Sequence, residues 1–214
     1  MTITRIREIT IENKIMKKVI FLASLILFNT QLWAQNRDLE QAANQVFSRV
    51  VAGLGQLKQE NALEQPQLLE LVHADILPHV DNKFFSYKVL GKNLEKLSAA
   101  QREEFIEVLT DNLMINYAQS LKGYNNEALQ ISSITMAPSK KTAAVAMKLN
   151  GAKKETNLTT KWRYSEQQAR WMMYDLIVEG VSLLQTKQKE IASLISAHGA
   201  ESVLQRLKHK NDKA

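Results

Sequence analysis

Asp175 and Ser182 are the residues whose type and placement first suggest chemistry. Asp175 interrupts the apolar stretch Arg170 to Leu184, RWMMYDLIVEGVSLL. A carboxylate among apolar neighbours can have a raised pKa, which a general base working near neutral pH needs. An isomerase-like cup using Asp175 is therefore one enzymatic reading. The preferred alternative is structural: Asp175 faces Lys161 or Arg163 on a neighbouring strand, or accepts backbone N–H groups beneath a loop. Glu179 carries the same ambiguity. Ser182 follows Gly180 and Val181 at a strand-to-helix junction, where a G-x-S-x-G elbow would hold a nucleophile. The second glycine of that motif is replaced by Leu184, so Ser182 reads as a helix cap.

Other chemistries find little support. The chain has no cysteine, which removes disulfides, thiol nucleophiles and Cys-based metal sites. His73, His79, His198 and His209 form no H-x-x-x-H pair, which speaks against zinc. No G-x-x-x-x-G-K or G-x-G-x-x-G loop is present to cradle a phosphate chain. No catalytic residue, metal or cofactor is assigned.

The start of the chain reads as targeting. Lys14, Lys17 and Lys18 precede an apolar run from Val19 to Phe28, and Leu32-Trp33-Ala34 offers a cleavage site. This is the pattern of a signal peptide cut near Ala34, and the run is short of the roughly 20 residues a membrane span needs. Met16-Lys17-Lys18 is the more usual kind of start, so residues 1–15 read as an over-long beginning. The expected division is a signal peptide over 1–34 and one exported, periplasmic domain over 35–214. Without 1–34 the 28 Lys and Arg fall to 23 and the 22 Asp and Glu to 20, a net charge of +3. That is too weak to indicate nucleic acid. Arg206, Lys208, Lys210 and Lys213 read as a solvated tail rather than a membrane-attracted patch.

Hydrophobic periodicity then places the elements. Asp38 to Asn61 repeats at helical spacing through Val46, Val50 and Leu54. Pro66 opens a second helix that Pro78 ends. His79 to Leu94 has aromatic residues but no clean period and reads as short helical turns against a sheet. Ser98 with Gln101 forms a capping box for the longest helix, in which Phe105, Leu109, Leu113, Tyr117 and Leu121 make one row before Gly123. From Glu127 the period becomes two. Leu129 to Met136 is a strand whose alternation slips at Ser132-Ser133. Strands through Ala143 to Leu149 and Leu158 to Tyr164 follow, and the Arg170 stretch is the fourth. Met172, Tyr174, Leu176 and Val178 are expected to form one apolar face of it. Ser182 with Gln185 opens another capped helix that Gly199 stops. Val203, Leu204 and Leu207 make a final short amphipathic turn or two. The expected fold is α+β: a single domain with a four-stranded antiparallel sheet wrapped by helices.

Several spaced segments resemble one family. Trp171-x-x-Tyr174-Asp175-x-x-x-Glu179-Gly180-Val181-Ser182 is similar to the signature of the MlaC family, periplasmic phospholipid carriers of the toluene-tolerance superfamily. Leu77-Pro78-x-Val80, Val89-Leu90-Gly91, Gln101-Arg102-x-x-Phe105, Asn116-Tyr117-Ala118-x-x-Leu121-x-x-Tyr124, Thr186-Lys187-Gln188 and the Gly199 to Leu207 end fit in order. Leu94 departs from the aromatic residue many members carry. The resemblance covers about residues 36–208. It implies a non-enzymatic shuttle that carries glycerophospholipids between an inner-membrane ABC transporter, through its MCE-domain ring, and an outer-membrane lipoprotein–porin complex, maintaining lipid asymmetry of the outer membrane. It implies an internal lipid cavity between sheet and helices, with the head group outside. The lining is expected from Tyr174, Leu176 and Val178 of the fourth strand, from Val145, Met147, Leu158 and Trp162, and from Phe105, Leu109 and Tyr117. A carrier of another hydrophobic ligand is the second alternative to the enzyme.

Overall fold

The computed structural model describes residues 38–152 and 154–212. The expected signal peptide and its cleavage site lie outside these residues. The chain divides into two compact units, Met1–Gln41 and Ala42–Ala214. Of the first, residues 38–41 are described, and they are helical. The second holds everything that follows.

Its first helix, α1, covers residues 42–59. The next, α2, is Gln65–Leu71, with Pro66 in its first turn. The chain does not continue as one helix to Pro78. It passes through a π-helical turn at Val72–Ile76 and a 3₁₀ turn at Leu77–His79. Pro78 lacks an N–H and its ring crowds the carbonyl four residues back, so regular α-geometry fails on the approach to it. The segment expected as short turns contains a true helix, α3, Asn82–Leu90, followed by a 3₁₀ stretch at Gly91–Lys96. Its buried residues Phe85, Ser86, Val89 and Leu90 face α4 (Ala99–Leu121), α5 (Leu183–His198) and the sheet together. A helix enclosed on several sides shows no clean period.

The capping box of α4 is present: Gln101 N–H donates to Ser98 Oγ at 3.2 Å, and Ser98 N–H donates to Gln101 Oε1 at 2.9 Å. Helix α5 starts at Ser182, which accepts from Gln185 N–H at 3.1 Å. Gly199, at φ +80°, turns the chain into α6, Ala200–Asn211. This last helix has 12 residues, longer than the turn or two expected, because Val203, Leu204 and Leu207 are buried in the helical core. Phe105, Leu109, Ile191 and Leu90 belong to the same core.

The sheet is antiparallel with its strands in sequence order: β1 Ala128–Met136, β2 Thr142–Asn150, β3 Glu155–Ser165, β4 Arg170–Val178 and β5 Val181–Ser182. The fifth strand, beyond the four expected, is two residues folded back on β4. Glu179 and Gly180 both have positive φ, the geometry of a tight two-residue hairpin. The slip at Ser132-Ser133 is a bulge in β1. A second bulge lies in β4: Lys161 pairs with Asp175 and Trp162 with Met173, leaving Tyr174 unopposed. The extra residue reverses the alternation. The expected face of Met172, Tyr174, Leu176 and Val178 is therefore divided, with Met173 on the side of Trp162 and Leu176 on the side of Thr160.

Asp81 ties the start of α3 to this bulged region. Its carboxylate accepts from Phe84 N–H at 3.1 Å and pairs with Arg163, and its own N–H donates to Met173 O at 2.8 Å. The Arg163 guanidinium lies 4.6 Å from the Phe84 ring centre, and Phe84 meets Tyr174 edge-on at 5.2 Å. Replacing Asp81 by Ala removes the cap and the partner of a part-buried guanidinium together. The expected loss is about 2–4 kcal/mol in denaturant-induced unfolding; a loss under about 0.5 kcal/mol would show that this node holds nothing.

Candidate functional site

A cavity of about 530 Å³ lies between the sheet and helices α1 and α4. Helix α1 contributes Val46, Phe47, Val50, Val51 and Leu54, a stripe at helical spacing. Helix α4 contributes Leu113, Met114, Tyr117, Ser120 and Leu121 from its last turns, and Tyr124 follows it. The sheet supplies Leu129, Met147, Leu149, Thr156, Leu158, Thr160, Met173, Leu176 and Val178. Ile76, Val80, Phe85 and Leu183 complete the wall. Residues such as Leu113, Met114, Phe85, Met147 and Thr160 are buried, whereas Ser120 and Val178 are exposed. The cavity therefore runs from the interior toward the sheet end that holds Leu129, Leu149, Thr156 and Val178. Of the large hydrophobic side chains among the described residues, the exposed ones are Val178 and Val181, both at the β4–β5 hairpin.

Three of the polar groups in this wall, Ser120, Thr160 and Asp175, are occupied by the protein. Thr160 Oγ1 accepts from Trp162 Nε1–H at 2.8 Å. Asp175, 4% exposed, accepts from the Ser182 hydroxyl at 2.7 Å and from Leu184 N–H at 3.0 Å. A carboxylate that sequence left between general base and structural acceptor thus holds the β4–β5–α5 corner. Neither Lys161 nor Arg163 is its hydrogen-bond partner; Arg163 turns to Asp81 instead. Ser182 donates to Asp175 while accepting from Gln185, so its oxygen is committed at both roles. Burial, and secondly the Asp175 charge, raise the phenol pKa of Tyr117 and of Tyr174 above the ordinary value. Glu179 accepts from Asn157 N–H at 2.8 Å, a bond that lowers its carboxyl below the usual range. Among the described residues no group of three His, Asp or Glu is placed to hold a metal ion.

The expected lining residues divide. Tyr117, Met147, Leu158, Tyr174, Leu176 and Val178 line this cavity. Val145 and Trp162 are fully buried on the same sheet face as Met147 and Thr160, but outside this wall. Phe105 and Leu109 lie two to three turns earlier on α4, inside the helical core. The whole α1 contribution was not expected. Its apolar stripe is plain in the sequence, but a stripe facing a cavity has the same period as one facing packed side chains.

Residues 42–209 match the model of the family described as MlaC protein. This chain belongs to the MlaC family. A relative from Haemophilus influenzae, named the intermembrane phospholipid transport system binding protein MlaC, is 28% identical over 173 residues, spanning 79% of this chain and 78% of that protein. The fold is shared with a phospholipid-binding protein from Ralstonia solanacearum solved in complex with a phospholipid. The TM-score is 0.74 at 19% identity, over 82% of this chain and 98% of that one. The segment from Trp171 to Ser182 is the bulged strand, hairpin and corner that close one side of the cavity.

The corner makes a specific demand on chemistry. Asp175→Ala leaves Leu184 N–H and the Ser182 hydroxyl without their buried acceptor, and is expected to cost about 2–4 kcal/mol in urea unfolding. Asp175→Asn keeps an acceptor for Leu184 and can donate to Ser182 Oγ, and should cost less than half as much. Equal losses in the two variants would remove the hydrogen-bonding account of this residue.

Proposed function

We propose that this chain is a non-enzymatic carrier of glycerophospholipids that moves them across the periplasm between transport complexes of the inner and outer membranes. The observation that carries this reading is the cavity itself. Its walls are nearly all aliphatic, aromatic or methionine side chains, and the acid in it is already bonded to the protein. A volume of about 530 Å³ is within the range of small-molecule sites. Burial is worth about 0.8 kcal/mol per CH₂, so two acyl chains exposed to water would cost on the order of 20 kcal/mol. A dry slot removes that cost without any base, nucleophile or metal. A bilayer is equally apolar, so loading and unloading can stay near balance.

The names of the Haemophilus relative and the Ralstonia structure support phospholipid as the cargo. In this reading the chain acts in the periplasm after removal of residues 1–34, and domain 35–214 is the carrier. Its partners are an inner-membrane ABC transporter with an MCE-domain ring and an outer-membrane lipoprotein–porin complex. The outcome is lipid asymmetry of the outer membrane. The lipid chains rest against Met147, Leu158, Leu176 and Val178 of the sheet and against Tyr117, and the head group stays outside. In this reading Asp175 is a structural acceptor for Ser182 and Leu184 rather than a base.

Solvent extraction of the mature protein, purified from a periplasmic fraction, tests the reading. Stoichiometric phospholipid is expected by mass spectrometry, and delipidated protein should reload from phospholipid vesicles. Absence of both would overturn the carrier reading, and a different co-purifying hydrophobic molecule would replace the cargo.

A further inference from the structure

The α4 wall of the cavity carries one polar group that the protein leaves open. Leu113 and Met114 are buried at the inner end of the wall, and Ser120 is exposed at its outer end. Tyr117 stands between them, about 4.5 Å along the helix axis from Met114 and from Ser120 at 1.5 Å per residue. Among the described residues, burial and the Asp175 charge act on its phenol, and no hydrogen bond does. The nearby carboxylate does not take it: Asp175 Oδ1 and Oδ2 accept from Leu184 N–H and the Ser182 hydroxyl instead. The phenol stays protonated at neutral pH, since burial and the Asp175 charge both raise its pKa. A proton donor is thus held on the α4 wall of a mostly apolar slot, whose sheet side and rim add the hydroxyls of Tyr174, Thr156 and Tyr124.

A diacyl phospholipid has one kind of acceptor at that depth. Between the hydrocarbon chains and the phosphate lie the ester carbonyls, which lose water when the chains enter. A buried carbonyl left without a donor is costly. We propose that Tyr117 is a specificity-determining residue for the acyl ester, its phenol donating to an ester carbonyl while the chains run inward past Met114 and the head group outward past Ser120. This rests on the carrier reading and adds the chemical feature by which the slot tells its cargo from other double-chained amphiphiles.

The test is competition between two lipids that differ only in that carbonyl. Delipidated protein is incubated with vesicles of equal parts diester and diether phosphatidylglycerol with the same chain lengths. The loaded lipid is extracted and its ratio measured by mass spectrometry. The native protein should favour the diester by about three- to tenfold, the range of one neutral hydrogen bond. In Tyr117→Phe, which keeps the ring, the ratio should fall to one or below. The ratio is internal to each sample, so partial loss of folded protein does not alter it. Loading of the native protein in the vesicle ratio would overturn the proposal, as would full discrimination in Tyr117→Phe. Failure of the native protein to load either lipid would instead overturn the carrier reading beneath it.

Discussion

Keeping about 530 Å³ of apolar space unpacked inside a small domain is expensive. Side chains around such a space lose contacts on one side and tend to collapse into it. The walls must therefore be held from behind. The helical core of α2 to α6 does part of this, with Phe105, Leu109, Ile191 and Leu204 packed away from the cavity. It gives α4 a rigid first half, so that only its last turns face open space.

The side of the sheet next to the helices is held by polar anchors. Asp175 fastens β4 to the start of α5, through Ser182 and Leu184. Asp81 fastens the start of α3 to β3 through Arg163 and to β4 through Met173 O. The bulge at Tyr174 lies between these two anchors, where it lets Met173 and Leu176 face the same side. The acids and the serine of this segment are engaged by the fold: Asp175 by Ser182 and Leu184, and Glu179 by Asn157. What they protect is a surface with almost no reactive group.

The order of elements was legible because local rules dominate there. The capping serines at 98 and 182, the change of period at Glu127 and the bulge near Ser132 all depend on neighbours in sequence. Helix α3 was not legible, because Phe84, Phe85, Tyr87 and Val89 are covered from several directions. The β4 bulge was hidden for a similar reason: with apolar residues at Met172, Met173 and Tyr174, a shift of one position leaves the pattern unchanged. The full length of α6 is not legible in the sequence because it depends on tertiary burial of Val203, Leu204 and Leu207. Of the cavity wall, Tyr117, Met147, Leu158, Tyr174, Leu176 and Val178 are legible, whereas Val145, Trp162, Phe105 and Leu109 lie outside it. Periodicity reports that a residue is covered, not whether packed side chains or open space cover it.

The proposed carrier holds acyl chains in this space rather than in a surface groove. Methionine methyls sample it directly, since Met114, Met147 and Met173 line the cavity whereas Met136 lies outside its wall. With methyl-labelled methionine and a phospholipid of natural isotope content, intermolecular NOEs from the acyl chain are predicted at Met114, Met147 and Met173 and absent at Met136. A bound lipid whose chain protons reach none of these three methyls would contradict the account.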